Sequence, residues 1–446
     1  MAADSALTTR SVVAPEATQP RRRTVVALGV WGALVVGSSL LVLRLRWAGI
    51  DVKLDAPPLH GSVQPRVTAF LAGAGLVGAA MVWWLPAATR RLGWGALLAT
   101  SFAMAAGFAV VLAFVHHGPG GLTEPLTGRY EYLGQVGAVG SPGAFLAGFA
   151  DGVRARAFSV HVHGHPPGFL LALWAMDRVG LGGTVPAAAS VIAGGAAAVP
   201  CVLVAVRNVV SEDAARRAAP FLVIAPPAIW VATSADALFA GVVAAAATAV
   251  IVASGRPGRH GDRLALGGGI GFGVAAFLSY GLVLAAVIPC VVAVSRRRVR
   301  PLIVASAGAL AVFGVFAGFG FSWLDGLAAT RERYFAGVAS VRPYSTFLVA
   351  NLGILAIMLG PAVAVGLARL RDRAAWLLVG GALAAVAIAD VSGMSKSEVE
   401  RIWLPFAPWI LVSGMALTAS VRSTRRWLAL QLVAALTIEV VVRTAW

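Results

Sequence analysis

Apolar runs of about 20 residues, repeated along the chain and separated by short arginine-bearing turns, restrict what this sequence can fold into. As helices, such runs match the hydrocarbon thickness of a bilayer, and in lipid every backbone polar group must be satisfied within its own helix. Composition agrees: 59% of residues are hydrophobic, 12% are charged and the mean hydropathy is +0.83. The chain reads as an all-α polytopic membrane protein. Its formal charge of +17 does not point to nucleic acid, because the arginines sit in turns between apolar runs, where the positive-inside rule places them.

Residues 1–23 are polar and are expected to be a disordered cytoplasmic N-terminus ending in Arg21–Arg22–Arg23. The following apolar run is too long for a signal-peptide core and has no small-residue cleavage site, so it reads as a retained anchor. Alternating sides from there predicts about 13 transmembrane helices in one domain over residues 24–446, in the plasma membrane. Outer-face loops are expected at 46–66, 116–166, 322–345 and 392–401. Parity of sides requires one apolar run not to cross. The weakest, Pro167–Met176, reads as a half-helix lining a cavity. Cys201 and Cys290 lie inside apolar runs, which argues against a disulfide framework or a cysteine metal site. The Gly267–Gly273 cluster lies in a membrane helix with no preceding strand, so it reads as close helix packing.

The long stretch from His116 to Gly168 stands apart, being polar, aromatic and rich in turn formers. Such loops are more often functional than connective. Within it, Arg129-Tyr-Glu-Tyr-Leu133 places Glu131 between two tyrosines and an arginine. That setting suits a general base whose pKa is tuned by its neighbours; a solvated loop ion pair is the plainer alternative. The run His161-Val-His-Gly-His165-Pro-Pro-Gly168 would put its three histidines on one face if extended. It is open to three readings: phosphate recognition near a helix start, a Zn or Cu site, or a loop hydrogen-bonded to itself. Two other positions stand out. Asp236 either faces a cavity or caps the helix from Ala237. Lys396-Ser-Glu-Val-Glu400-Arg401 either clamps a phosphate with Lys396 and Arg401 or is a solvated turn before an interfacial Trp403.

Taken in order, these features resemble the GT-C superfamily of multi-pass glycosyltransferases, which take sugars from polyprenyl-phosphate donors outside the membrane. The resemblance rests on an acidic residue in an early outer loop (Arg129-Tyr-Glu-Tyr-Leu133), a His/Pro segment feeding a helix (His163-Gly-His-Pro-Pro-Gly168), a Thr-Ser-Ala-Asp236 turn, and a charged turn before an aromatic helix (Glu398-Val-Glu-Arg-Ile-Trp-Leu-Pro-Phe406). It spans roughly residues 90–420. The resemblance implies inverting transfer of a sugar to an acceptor hydroxyl on a glycan, lipid or protein, on the extracytoplasmic face. Glu131 would be the catalytic base, and Arg129, Tyr132, His163, His165, Asp236, Lys396, Glu400 and Arg401 would bind substrate. His163, His165, Lys396 and Arg401 would meet the leaving phosphate, and the half-helix would line the lipid groove.

Members of the family usually carry their acid in the loop after the first helix, which here holds Asp51 and Asp55, so two loops compete for the role. A lone carboxylate fits members that use no metal. No cofactor is therefore expected, and a divalent ion is the less favoured option. A transporter or flippase of a lipid-linked or anionic solute is the rival reading; it predicts polar residues at the bilayer midplane.

Overall fold

The computed structural model describes residues 19–232 and 234–444, with side chains from Arg21 onward. The expected disordered tail falls mostly on residues 1–18, outside those described, whereas residues 19–23 already belong to the first helix.

The chain is 79% helical, which makes the fold all-α. Its first third holds α1 (Gln19–Trp47), α2 (Ala69–Arg91), α3 (Trp94–His117), α4 (Pro142–Arg154), α5 (Val160–Gly164) and α6 (Gly168–Arg178). The centre holds α7 (Thr184–Val209), α8 (Glu212–Val223), α9 (Ala235–Ser254), α10 (Arg259–Leu278), α11 (Val287–Ser295) and α12 (Arg300–Gly318). The remainder holds α13 (Trp323–Phe335), α14 (Tyr344–Leu359), α15 (Pro361–Arg369), α16 (Arg373–Val391), α17 (Val399–Ile402), α18 (Ala407–Leu411) and α19 (Val421–Val441). Two short strands, β1 (Gly61–Val63) and β2 (Val442–Thr444), pair antiparallel and tie the first loop to the end of the chain.

Among the described residues, 7 helices are long and apolar enough to cross a membrane, or up to 8 if α14 and α15, bent by 96°, form one span. These helices support a polytopic membrane protein. The count of 13 is not reached on this criterion because several apolar runs are not continuous helices. Residues 402–419 divide into α17, α18 and short 3-10 turns, and residues 264–295 break after Leu278. Prolines explain part of this: Pro405 and Pro408 each remove an amide donor from the helical ladder. The short α6 has 11 residues, too few to span.

The interior is packed through small residues. A Cβ on Gly241 of α9 would meet the Gly194 carbonyl of α7 at 2.1 Å, and one on Gly269 of α10 would meet the Ala305 carbonyl of α12 at 1.9 Å. These glycines let backbones approach where lipid supplies no hydrophobic drive between helices. Such close, ladder-like packing fixes the helix ends, so the polar loops meet. Arg342 donates to the carbonyls of Val52 and Lys396, and Thr330 donates to that of His163.

Candidate functional site

The polar cluster begins with a local fold. Ser159 and Pro166 bracket a short helix, α5, in a stretch expected to be extended. In a helix residues four apart share a face, so His161 and His165 turn inward together and His163 turns away. That corrects the expectation of three histidines on one face. Two hydrogen bonds then pin the Glu131 loop to α5: the His161 amide donates to the Tyr130 carbonyl and the Ser159 hydroxyl to the Glu131 carbonyl, each at 3.0 Å. As a result Glu131 Oε1 lies 2.8 Å from His161 Nδ1, with both side chains about 90% buried (10% and 8% exposed).

The far edge of His161 continues the chain of contacts. Its Nε2 is 3.5 Å from Arg401 Nη2, and Arg401 Nη1 is 2.8 Å from Asp236 Oδ2. Arg401 and Asp236 are both almost fully buried. Asp236 can do this because Ser234, not Asp236, caps α9: the Ser234 hydroxyl accepts the Asp236 amide and donates to its carboxylate. The carboxylate also sits at a helix N-terminus, where the macrodipole favours negative charge. Thr233 lies outside the described residues.

On its other side Arg401 Nη2 is 3.7 Å from Glu398 Oε2, and Glu398 Oε1 is 3.6 Å from Arg342 Nη1 and 3.9 Å from His60 Nδ1. Ser397 and Glu398 both adopt left-handed backbone, with φ of 77° and 63°, at a cost of about 1–2 kcal/mol each for non-glycine residues. The turn is held open by Asn351, whose Oδ1 accepts the Ser397 amide and whose Nδ2 donates to Asp390 and to the Ser395 carbonyl. Burial works against the Glu398 charge, but His60, Arg401, Arg342 and His161 outweigh it and hold the carboxyl below its ordinary value. The result is a buried relay, Glu131–His161–Arg401–Asp236, with a branch through Glu398 to Arg342 and His60.

Tyr132 and His165 complete the wall. The Tyr132 ring lies 6.2 Å from His161, 6.0 Å from His165 and edge-on to Phe169 at 4.8 Å. Burial, with Asp236 nearby, pushes the Tyr132 phenol well up. His165 Nδ1 is 2.9 Å from the His161 carbonyl; a carbonyl only accepts, so Nδ1 carries the proton and Nε2 is left as an acceptor. Burial lowers His165 to about 4, leaving it neutral at pH 7. A neutral acceptor edge suits a hydroxyl better than a phosphate.

Several expected residues are not brought to the relay. Arg129 lies over the Tyr130 ring and bonds its hydroxyl on the exposed loop surface. The carbonyl of His163 accepts from Thr330, and burial followed by Arg333 lowers its imidazole. The Lys396 ammonium donates to the Ala339 carbonyl and sits over Phe335, so it forms no clamp with Arg401. Trp403 is fully buried rather than interfacial. Asp51 and Asp55 are exposed, paired with Lys53 and Arg46; their loop reaches the site through His60 and the Val52 carbonyl instead. His60 has no role expected from the sequence, and Glu398 enters there only as the start of the charged turn. The only available signal was the proximity of Glu398 to Glu400 and of His60 to Asp55.

Glu400 is fully buried and its carboxyl has no side-chain hydrogen-bond partner. Burial, reinforced by Glu398, pushes it up to about 8, so it keeps its proton at pH 7. Its contribution to stability is complete below the ordinary value of 4.5 and is lost as pH rises towards 8. His165 works the other way: its contribution is complete above 6.5 and is lost as pH falls towards 4. The two slopes oppose each other between 4.5 and 6.5, so thermal stability should be greatest within that window and fall on either side of it. At about 1.4 kcal/mol per pH unit for one proton, Glu400→Gln should recover about 2 kcal/mol at pH 8 relative to pH 6.5. Thermal unfolding in detergent across pH reads this directly; an unchanged alkaline limb would rule out Glu400 as its cause.

Among the described residues, no group of three or more His, Cys, Asp or Glu is placed to hold a metal ion. A second polar cluster lines a cavity of about 310 Å³ beside Ile229, where His116 Nε2 is 3.1 Å from Glu439 and His117 Nδ1 is 2.7 Å from Glu124.

No family model and no curated protein matches the chain. Among solved structures it is similar to the Archaeoglobus fulgidus oligosaccharyltransferase in complex with Zn and sulfate. Identity is 16% and the TM-score is 0.34, over 75% of this chain and 51% of that one. The chain thus spans about half the length of that structure, and a likeness at this score carries no argument about activity.

Proposed function

We propose that the chain is a membrane glycosyltransferase that moves a sugar from a polyprenyl-phosphate donor to an acceptor hydroxyl on the extracytoplasmic face. The observation that carries the reading is the buried Glu131–His161–Arg401–Asp236 relay, assembled from two polar loops and the start of α9 at one end of the helical bundle. Glu131 takes the proton of the attacking hydroxyl as that oxygen bonds to the anomeric carbon, and the bond to the phosphate oxygen breaks. His161 orients Glu131. Arg401 is the relay's cation and supports the charge that develops on the leaving phosphate. His165 and Tyr132 position hydroxyls, and Asp236 holds Arg401 in place. Lys396 and Arg129 take no part because their side chains are engaged elsewhere, and His163 takes none because it turns away from His161 and His165.

Reconstituted vesicles supplied with a polyprenyl-phosphate sugar and a soluble acceptor test the reading. Glycosylated product is expected, at an unchanged rate after chelation by EDTA. Solute counterflow without product would turn the reading to a transporter, and loss of rate on chelation would bring in a divalent metal. Sidedness has its own check. In a protein with Cys201 and Cys290 replaced, Ser141→Cys on the exposed start of α4 should react with an impermeant thiol reagent added to intact cells. Protection there would place the relay on the cytoplasmic side.

A further inference from the structure

The bend between α14 and α15 opens a groove at the opposite end of the bundle. The turn is built in: Gly360 has φ +79°, and a Cβ there would meet Gln431 Oε1 at 2.3 Å. Gln431 Nε2 donates to the Leu359 carbonyl at 2.8 Å and its Oε1 accepts the Ala362 amide at 3.2 Å. The backbone groups freed by the break are thus satisfied at membrane depth. Because α15 leaves at 96°, the N-terminal half of α1, which carries Arg22 and Arg23, runs on without α14 beside it. Trp31 bridges to α14 by donating to the Ala356 carbonyl at 2.8 Å. Beyond it lies a cavity of about 710 Å³ walled by Ala27, Leu355, Leu359, Val363 and Leu367. Arg22 and Arg23 stand at its mouth, both exposed. Directly after them, Thr24 accepts from the Arg369 guanidinium.

Protein interiors hold few voids larger than a water molecule, and an apolar space this large, facing a bilayer, is filled by hydrocarbon. The paired guanidiniums select what that hydrocarbon carries. We propose that the groove binds one anionic glycerophospholipid, with its phosphate on Arg22 and Arg23 and an acyl chain laid between α1 and α15. Basic pockets between membrane helices are suited to anionic headgroups. A sugar donor is a poor occupant: α1 has 29 residues and is therefore about 43 Å long, and its far end feeds the loop carrying Val52 and His60. A reactive phosphate at Arg22 would be out of reach of Glu131. The proposal does not depend on the glycosyltransferase reading.

The full-length protein, delipidated in detergent, should be titrated with phosphatidylglycerol or phosphatidylcholine and the bound lipid counted by native mass spectrometry. One phosphatidylglycerol should bind, about tenfold or more tightly than phosphatidylcholine, because arginines at a membrane surface attract anionic headgroups. Arg22→Gln with Arg23→Gln, at exposed positions that leave the fold intact, should erase that preference. Ala364→Phe, which fills the groove, should weaken both lipids. Equal affinity for the two lipids, a preference that survives the double arginine substitution, or preferential retention of added undecaprenyl phosphate over phosphatidylglycerol would each overturn the proposal.

Discussion

Glu131→Gln is expected to lower glycosyl transfer by about 10²–10⁴-fold, the usual worth of a positioned general base, with the protein still folded and inserted. The amide keeps the shape of the carboxylate and its place beside His161 Nδ1, 2.8 Å away in the parent. What it lacks is basicity. The informative comparison is with the other loop. Asp51→Asn and Asp55→Asn remove exposed carboxylates held by Lys53 and Arg46, outside the relay, and activity should stay within about twofold of the parent, as for surface pairs of small worth. His161→Ala should fall between these, since it removes the group that orients Glu131 while sparing the carboxylate. Full activity in Glu131→Gln, with loss in either aspartate variant, would move the reaction to the first loop.

Arg401→Gln should produce the largest loss of stability, about 3–5 kcal/mol, because removing one partner of a buried ion pair leaves the others uncompensated. Asp236 is 2.8 Å from this guanidinium and Glu398 is 3.7 Å away, in surroundings where Arg401 is 5% exposed. Lys in its place would keep the charge but not the fork that serves both carboxylates at once. Asp236→Asn added to Arg401→Gln should return part of the lost stability, since it removes one orphaned charge. A double-mutant cycle read by thermal unfolding in detergent gives the coupling. Additive losses would mean that the pair is geometric proximity without energetic linkage. Activity need not return in the double variant, because the relay lacks its cation, and that separates the stability role from the catalytic one.

The parts of this protein that follow from local rules could be read from sequence. Helical class and membrane residence follow from apolar run length, and the short α6 follows from Pro166–Pro167 and the charges at Asp177–Arg178. Glu131, His165, Asp236 and Arg401 could be picked out because an ionisable residue in an apolar chain is conspicuous wherever it falls. Continuity of helices was less legible. An apolar run broken by Gly360 or Pro405 has the same hydropathy as an unbroken one, so hydropathy overcounts straight spans.

Partnerships were not legible at all. His161 and Arg401 are 240 residues apart, and no local pattern in either segment names the other. Lys396 and Arg401 looked like one clamp because they are neighbours in sequence. A left-handed turn at Ser397–Glu398 sends the lysine to the Ala339 carbonyl and the arginine to Asp236. The three histidines from 161 to 165 looked equivalent until one helical turn divided them. The sequence alone determined that this chain lives in a membrane with a chemically loaded polar stretch, because those properties depend on composition within a window. Tertiary structure alone decided which charges meet, because a buried charge is stable only beside its partner, and glycine-mediated helix packing sets where that partner arrives.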